Sequence, residues 1–141
     1  MKTFKLLFSI ALITAMFTLV TCGEGALGGS TPGDVVKISA GNIADEDYDA
    51  LVALYVNKNG EPLSKEEQDK VKAIMPRMKE EMDKKGGIKE VIIIEETISE
   101  DGNTATVNSQ LVFGDGEKSD GDAAELMMVD GEWKIVFDIG G

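Results

Sequence analysis

Lys84-Lys85-Gly86-Gly87-Ile88-Lys89-Glu90-Val91-Ile92-Ile93-Ile94 is the stretch at which one kind of chain gives way to another. Before it, apolar residues recur every three or four positions; after it they are β-branched and contiguous, then alternate. The glycine pair closes a helix, because the residue beyond a last turn commonly takes a left-handed conformation that glycine adopts freely. The run Val91-Ile92-Ile93-Ile94 then reads as a strand buried on both faces. Helices first and strands afterwards predict an α+β domain instead of alternating units around a parallel sheet.

Working backwards, the helix that ends at Gly86 starts at Ser64-Lys65-Glu66-Glu67, a capping box in which hydroxyl and carboxylate each satisfy a free backbone amide. Val71, Ile74, Met75, Met78 and Met82 form its apolar stripe, and Pro76 predicts a kink near Ala73 to Met75. A shorter helix is expected over Asp47 to Val56, where Tyr48, Leu51, Val52 and Tyr55 recur at helical spacing, with Asp45 or Asp47 as its cap. Another starts at Asp34, with Val35, Ile38 and Ile43 near one face and Val36 at its flank.

Working forwards, Glu100-Asp101-Gly102-Asn103 is a turn that sends the next strand back antiparallel. Over Thr104 to Phe113, Ala105, Val107, Leu111 and Phe113 face inward between Thr104, Thr106, Asn108 and Gln110. Ala123 to Val129 is a third strand with Leu126 and Met128 on one side. Asp130-Gly131 is a tight-turn signal, and the last strand sets Trp133, Ile135, Phe137 and Ile139 against Glu132, Lys134 and Asp138. The expectation is N-terminal helices packed on one face of a curved, four-stranded antiparallel meander.

This order of helices, closing on Asp130-Gly131-Glu132-Trp133-Lys134-Ile135, resembles the nuclear-transport-factor-2-like or lumazine-binding-like α+β cone, and within it small bacterial lipoproteins that carry a domain of unknown function. The resemblance spans about Thr31 to Gly141. It implies a cone whose mouth admits a small ligand or a partner, and a superfamily in which pairing through the sheet face is common. The fold hosts isomerases, dehydratases, adaptors and non-catalytic modules, so it sets no function by itself.

The first residues follow another logic. Met1 to Thr21 has a basic start at Lys2 and Lys5, an apolar middle of about 15 residues and small residues before a cut, the three parts of an export signal. Leu19-Val20-Thr21-Cys22 is similar to the lipobox of bacterial lipoproteins, with Thr21 departing from the usual Gly, Ala or Ser. The resemblance implies cleavage before Cys22 and a diacylglyceryl group on its thiol. An ordinary cleaved leader with a chance cysteine is the alternative. Each acyl chain contributes about 0.8 kcal/mol per buried methylene, and two or more anchor stably. The expected division is a signal peptide at 1–21, an acylated cysteine with a Gly-rich tether of roughly 20 Å reach at 22–33, and one domain at 34–141. Gly23 is not the Asp that marks inner-membrane retention, and no acidic block follows Cys22, so the expected location is the periplasmic face of an outer membrane.

Composition excludes several functions. The 141 residues carry 26 acidic and 14 basic side chains, for a net charge of −12, and the leader would remove two lysines more. Such a charge repels phosphate backbones and anionic head groups, so no nucleic-acid partner is expected. With no histidine and Cys22 as the sole cysteine, histidine-based triads, Cys–His pairs and disulfides within the chain are ruled out. No cofactor is expected.

Three candidate sites remain. Asp115-Gly116-Glu117-Lys118-Ser119-Asp120-Gly121-Asp122 is rich in oxygen ligands, yet Asp120 stands where a helix-loop-helix calcium loop needs Gly and the twelfth-position Glu is missing, so a solvated connection is expected and no metal. Tyr48, Tyr55, Glu95 and Asp138 supply the groups for acid-base catalysis inside a cone, with no spacing that singles any out. Met75, Met78, Met82, Met127 and Met128 suit an adaptable apolar pocket or an ordinary core. Tyr48, Tyr55, Met75, Met78 and Trp133 are the residues expected nearest a ligand. The function expected is non-enzymatic: binding of a small apolar ligand, a peptide or an envelope protein. The alternatives are a carboxylate-based enzyme in the cavity and a structural homodimer.

Overall fold

The computed structural model describes residues 31–138, so Cys22, the leader and most of the tether lie outside the described residues. The chain there forms α1 (Pro32–Ala44), α2 (Tyr48–Ala53), β1 (Tyr55–Val56), α3 (Lys65–Lys84), β2 (Ile88–Ile98), β3 (Thr104–Phe113), β4 (Asp122–Val129) and β5 (Glu132–Val136). Helices precede strands, as the change of periodicity at Gly86-Gly87 predicts.

The sheet has five strands in the order β1-β5-β4-β3-β2, not four. The helix expected over Asp47 to Val56 ends early: Leu54 closes it, and the good strand formers Tyr55 and Val56 pair in parallel with Ile135 and Val136. Two backbone bonds of 2.8 Å, from the Ile135 amide to the Leu54 carbonyl and from the Phe137 amide to the Val56 carbonyl, hold this added edge. The other pairings are antiparallel, and the β4–β5 hairpin turns on Asp130 and Gly131, both at positive φ.

Helix α1 starts two residues before the expected Asp34. Thr31 caps it, Pro32 fills its first position, and the Gly33 amide donates to Glu96 Oε2 at 2.9 Å, which pins the helix start to β2. Pro32 and Gly33, expected in the tether, are thus part of the helix. Along α1 the buried face runs through Val35, Val36, Ser39, Ala40 and Ile43; Ile38, assigned inward by its spacing, is exposed.

The capping box at Ser64 and Glu67 is present in both its bonds. Helix α3 continues through Pro76, an exposed residue, and ends in a Schellman pair: Gly87 N–H to Met82 C=O and Gly86 N–H to Asp83 C=O, each 3.0 Å.

Two clusters make the core. Val35, Val36, Leu54, Ala105, Val107, Leu126, Trp133 and Ile135 join α1 to the sheet. Ile43, Leu51, Leu63, Val71 and Met75 join the three helices, and Tyr55 packs against both clusters. The run Val91 to Ile94 is not buried on both faces. Strand β2 is the sheet's outer edge, a bulge between Ile93 and Glu95 breaks its alternation, and Ile94 stands 59% exposed.

Candidate functional site

The C-terminal half of α3 carries two parallel rows. Arg77, Glu81 and Lys85 follow at four-residue spacing, and Met78 and Met82 follow one position on, so the five share one side of the helix. With Phe113, the last residue of β3, they line a shallow, open groove of about 340 Å³. Its walls are the two thioethers and the phenyl ring; its charges stand at the rim.

Backbone contacts close the end of this groove. The Gly114 amide donates to the Gly87 carbonyl and the Asp115 amide to the Lys85 carbonyl, each at 2.9 Å. The two strands of main chain approach so closely that a Cβ on Gly114 would overlap the carbonyl oxygen of Gly86. This clasp sets Phe113 beneath the last turn of α3.

The rim is electrostatically uneven. Lys85 Nζ lies 5.1 Å from the centre of the Phe113 ring, a cation–π distance, and 3.1 Å from Glu117. Glu81 accepts from Lys84 at 2.6 Å, a contact that raises the Lys84 pKa. Arg77, the chain's single arginine, makes no ion pair and no hydrogen bond among the described residues.

The five residues expected nearest a ligand do not share one wall. Met78 lines the groove and is 41% exposed. Met75 is buried in the inter-helix cluster, against which Tyr48, Tyr55 and Met82 pack; Met82 thus links that cluster to the groove. Trp133 lies in the cluster between α1 and the sheet. Glu95 and Asp138 are surface groups, Asp138 paired with Lys58 at 2.9 Å. In the acidic loop, Asp115 accepts from the Glu117 amide at 2.8 Å, and no three acidic side chains converge on a cation position among the described residues. Met127 pairs with Lys134 on the sheet face away from α1, and Met128 packs against the α1 cluster.

Arg77, Lys85 and Phe113 were not singled out by the sequence. The charged row beside the methionine row was visible in it. What brings Phe113 to that row is the Gly86–Gly114 approach, a long-range contact that no local pattern encodes.

Two tyrosines behind the groove give direct tests. The Tyr48 hydroxyl is buried without a hydrogen-bond partner among the described residues. An unpaired buried hydroxyl is destabilising, so Tyr48→Phe should raise the unfolding free energy by about 1 kcal/mol in urea titrations. A loss of stability would mean that the hydroxyl is bonded in solution.

The Tyr55 ring meets Phe137 edge-on at 5.6 Å, and burial raises its pKa. In the unfolded chain the phenol ionises near pH 10, before it does so in the folded chain. Stability from this group is therefore complete below about pH 10 and lost as pH climbs toward the higher folded value. Tyr55→Phe should flatten that alkaline decline; an unchanged slope would contradict it.

Comparison with known proteins places this geometry. A structure from Campylobacter jejuni, provisionally described as an NTF2-like transpeptidase, superposes with a TM-score of 0.64 at 20% identity, covering 76% of this chain and 98% of that one. A SEC-C motif-containing protein from Rhodopseudomonas palustris gives a TM-score of 0.50 at 14% identity, with 77% of each chain covered. At these identities the likeness shows the fold alone, which is nuclear-transport-factor-2-like. No curated protein sequence matches the chain. The profile of a domain of unknown function, DUF4878, matches residues 20–136, and the chain belongs to that family.

Proposed function

We propose that this chain is a non-catalytic binding module of the bacterial envelope, anchored through lipid on Cys22, which takes a small apolar molecule into the groove between α3 and Phe113. The observation that carries the reading is the groove itself: Met78, Met82 and Phe113 form an apolar wall at the lower end of the roughly 300–1,000 Å³ typical of small-molecule sites. Thioethers adapt their shape to a guest, and the Gly86–Gly114 clasp holds Phe113 in place beside them.

The enzyme alternative has less support. Glu95 and Asp138 are exposed, and neither is hydrogen-bonded to Tyr48 or Tyr55 among the described residues. The activity in the Campylobacter description is not carried over, because fold likeness does not transfer chemistry and this chain has no histidine and no cysteine besides Cys22.

Photolabelling the full chain with a diazirine-bearing decanol tests the groove. Peptide mass spectrometry should locate adducts on residues 77–85 and on Phe113, and Met82→Asp should remove them. Adducts confined to other segments, or indifferent to Met82→Asp, would overturn the site. For the anchor, an alkyne-tagged palmitate fed to cells should mark the native chain and spare Cys22→Ser; an unmarked native chain would overturn it.

A further inference from the structure

We infer that the guest of this groove is an amphipathic monocarboxylate, its alkyl or aryl body on Met78, Met82 and Phe113 and its carboxylate on the guanidinium of Arg77. The inference rests on the groove reading above and adds the chemistry of the head group.

The charges at the rim are not equivalent. Glu81 is neutralised by Lys84 and Lys85 by Glu117, at 2.6 and 3.1 Å. Of the two cations that line the groove, Lys85 is paired and Arg77 is without a counter-ion among the described residues; Lys37, Lys89 and Lys118 also lack one, but they stand away from any apolar wall of this groove. The neighbours at the spacings that could pair with Arg77, Glu80 and Glu81, are both turned to Lys84 instead, at 3.9 and 2.6 Å.

One uncompensated cation beside one apolar trough complements a guest with one negative charge and an apolar body. A guanidinium presents parallel donors that match the two oxygens of a carboxylate. A phosphate dianion would call for a second free cation, and Lys85 is already engaged with Glu117 and the Phe113 face. Placement at i and i+1 on α3 sets Arg77 at the rim next to Met78 in the wall, so head and body of one small molecule reach both.

Competition against the diazirine–decanol label separates this inference from the reading it rests on. Decanoate should displace the label at about one-tenth the concentration that decanol needs, since one charge-assisted contact of this kind is worth about a factor of ten. Arg77→Gln should bring decanoate to the level of decanol; Lys37→Met, which removes a cation on α1 away from the groove, should preserve the preference. Equal competition by the two compounds, a preference that survives Arg77→Gln, or stronger displacement by decyl phosphate would each overturn the monocarboxylate and leave the apolar groove standing. A label that never falls in the groove would overturn both.

Discussion

Replacing Trp133 by Ala is expected to remove about 3–5 kcal/mol of stability, the usual cost of deleting a large aromatic side chain from a core. Its indole is 6% exposed, in one cluster with Val35 and Val36 of α1 and with Leu54, Ala105, Val107, Leu126 and Ile135. No other side chain of that cluster is as large. A domain of this size has about 5–15 kcal/mol in total, so the loss is a large share of its stability. Urea unfolding followed by far-ultraviolet circular dichroism measures the loss, since the only tryptophan is gone. Trp133→Phe should retain much of the stability. A loss below about 1 kcal/mol for the alanine variant would place the indole outside the core.

Gly114→Ala is the second large effect. The added methyl group would collide with the main chain at Gly86, and backbone cannot swing aside as the end of a flexible side chain can. Overpacking of this kind costs about 1–3 kcal/mol. Because the same contact seats Phe113 under α3, the variant should also lose the photolabel at residues 77–85. Gly41→Ala is the counterpart: that position lies inside α1 with nothing within 4 Å of the added carbon, and the change should stabilise the chain by up to about 1 kcal/mol. Equal unfolding midpoints for the two variants would refute the clasp.

The features legible in the sequence were those whose cause is local. Ser64 and Glu67 satisfy each other's backbone, Gly86 and Gly87 close their own helix, and Asp130-Gly131 bends its own hairpin. Of the inward set Ala105, Val107, Leu111 and Phe113, which followed from period two, three are buried as expected and Leu111 is half-buried, with Ser109 a buried addition that polarity concealed. Where position in the sheet decides, local pattern misled. Four consecutive β-branched residues have the composition of a central strand, yet β2 stands at the edge, where one flank of Ile94 meets solvent. Tyr55 and Val56 continue the helical spacing of Tyr48 and Leu51, and only the free edge of β5, far along the chain, draws them into a strand. The candidate site was half visible for the same reason. Its methionines lie on one helical stripe, while its aromatic wall, Phe113, arrives from another element.

The parallel join between β1 and β5 bears on biosynthesis. It ties the first third of the domain to its last strand, and Lys134 Nζ reaches the Ala53 carbonyl across 81 residues of sequence at 3.1 Å. Such a long closure carries an entropic cost and slows the search for native pairings. While the ribosome is still making β5, the partner that Tyr55 and Val56 require does not exist, so a nascent chain halted before Glu132 has no means of completing its sheet.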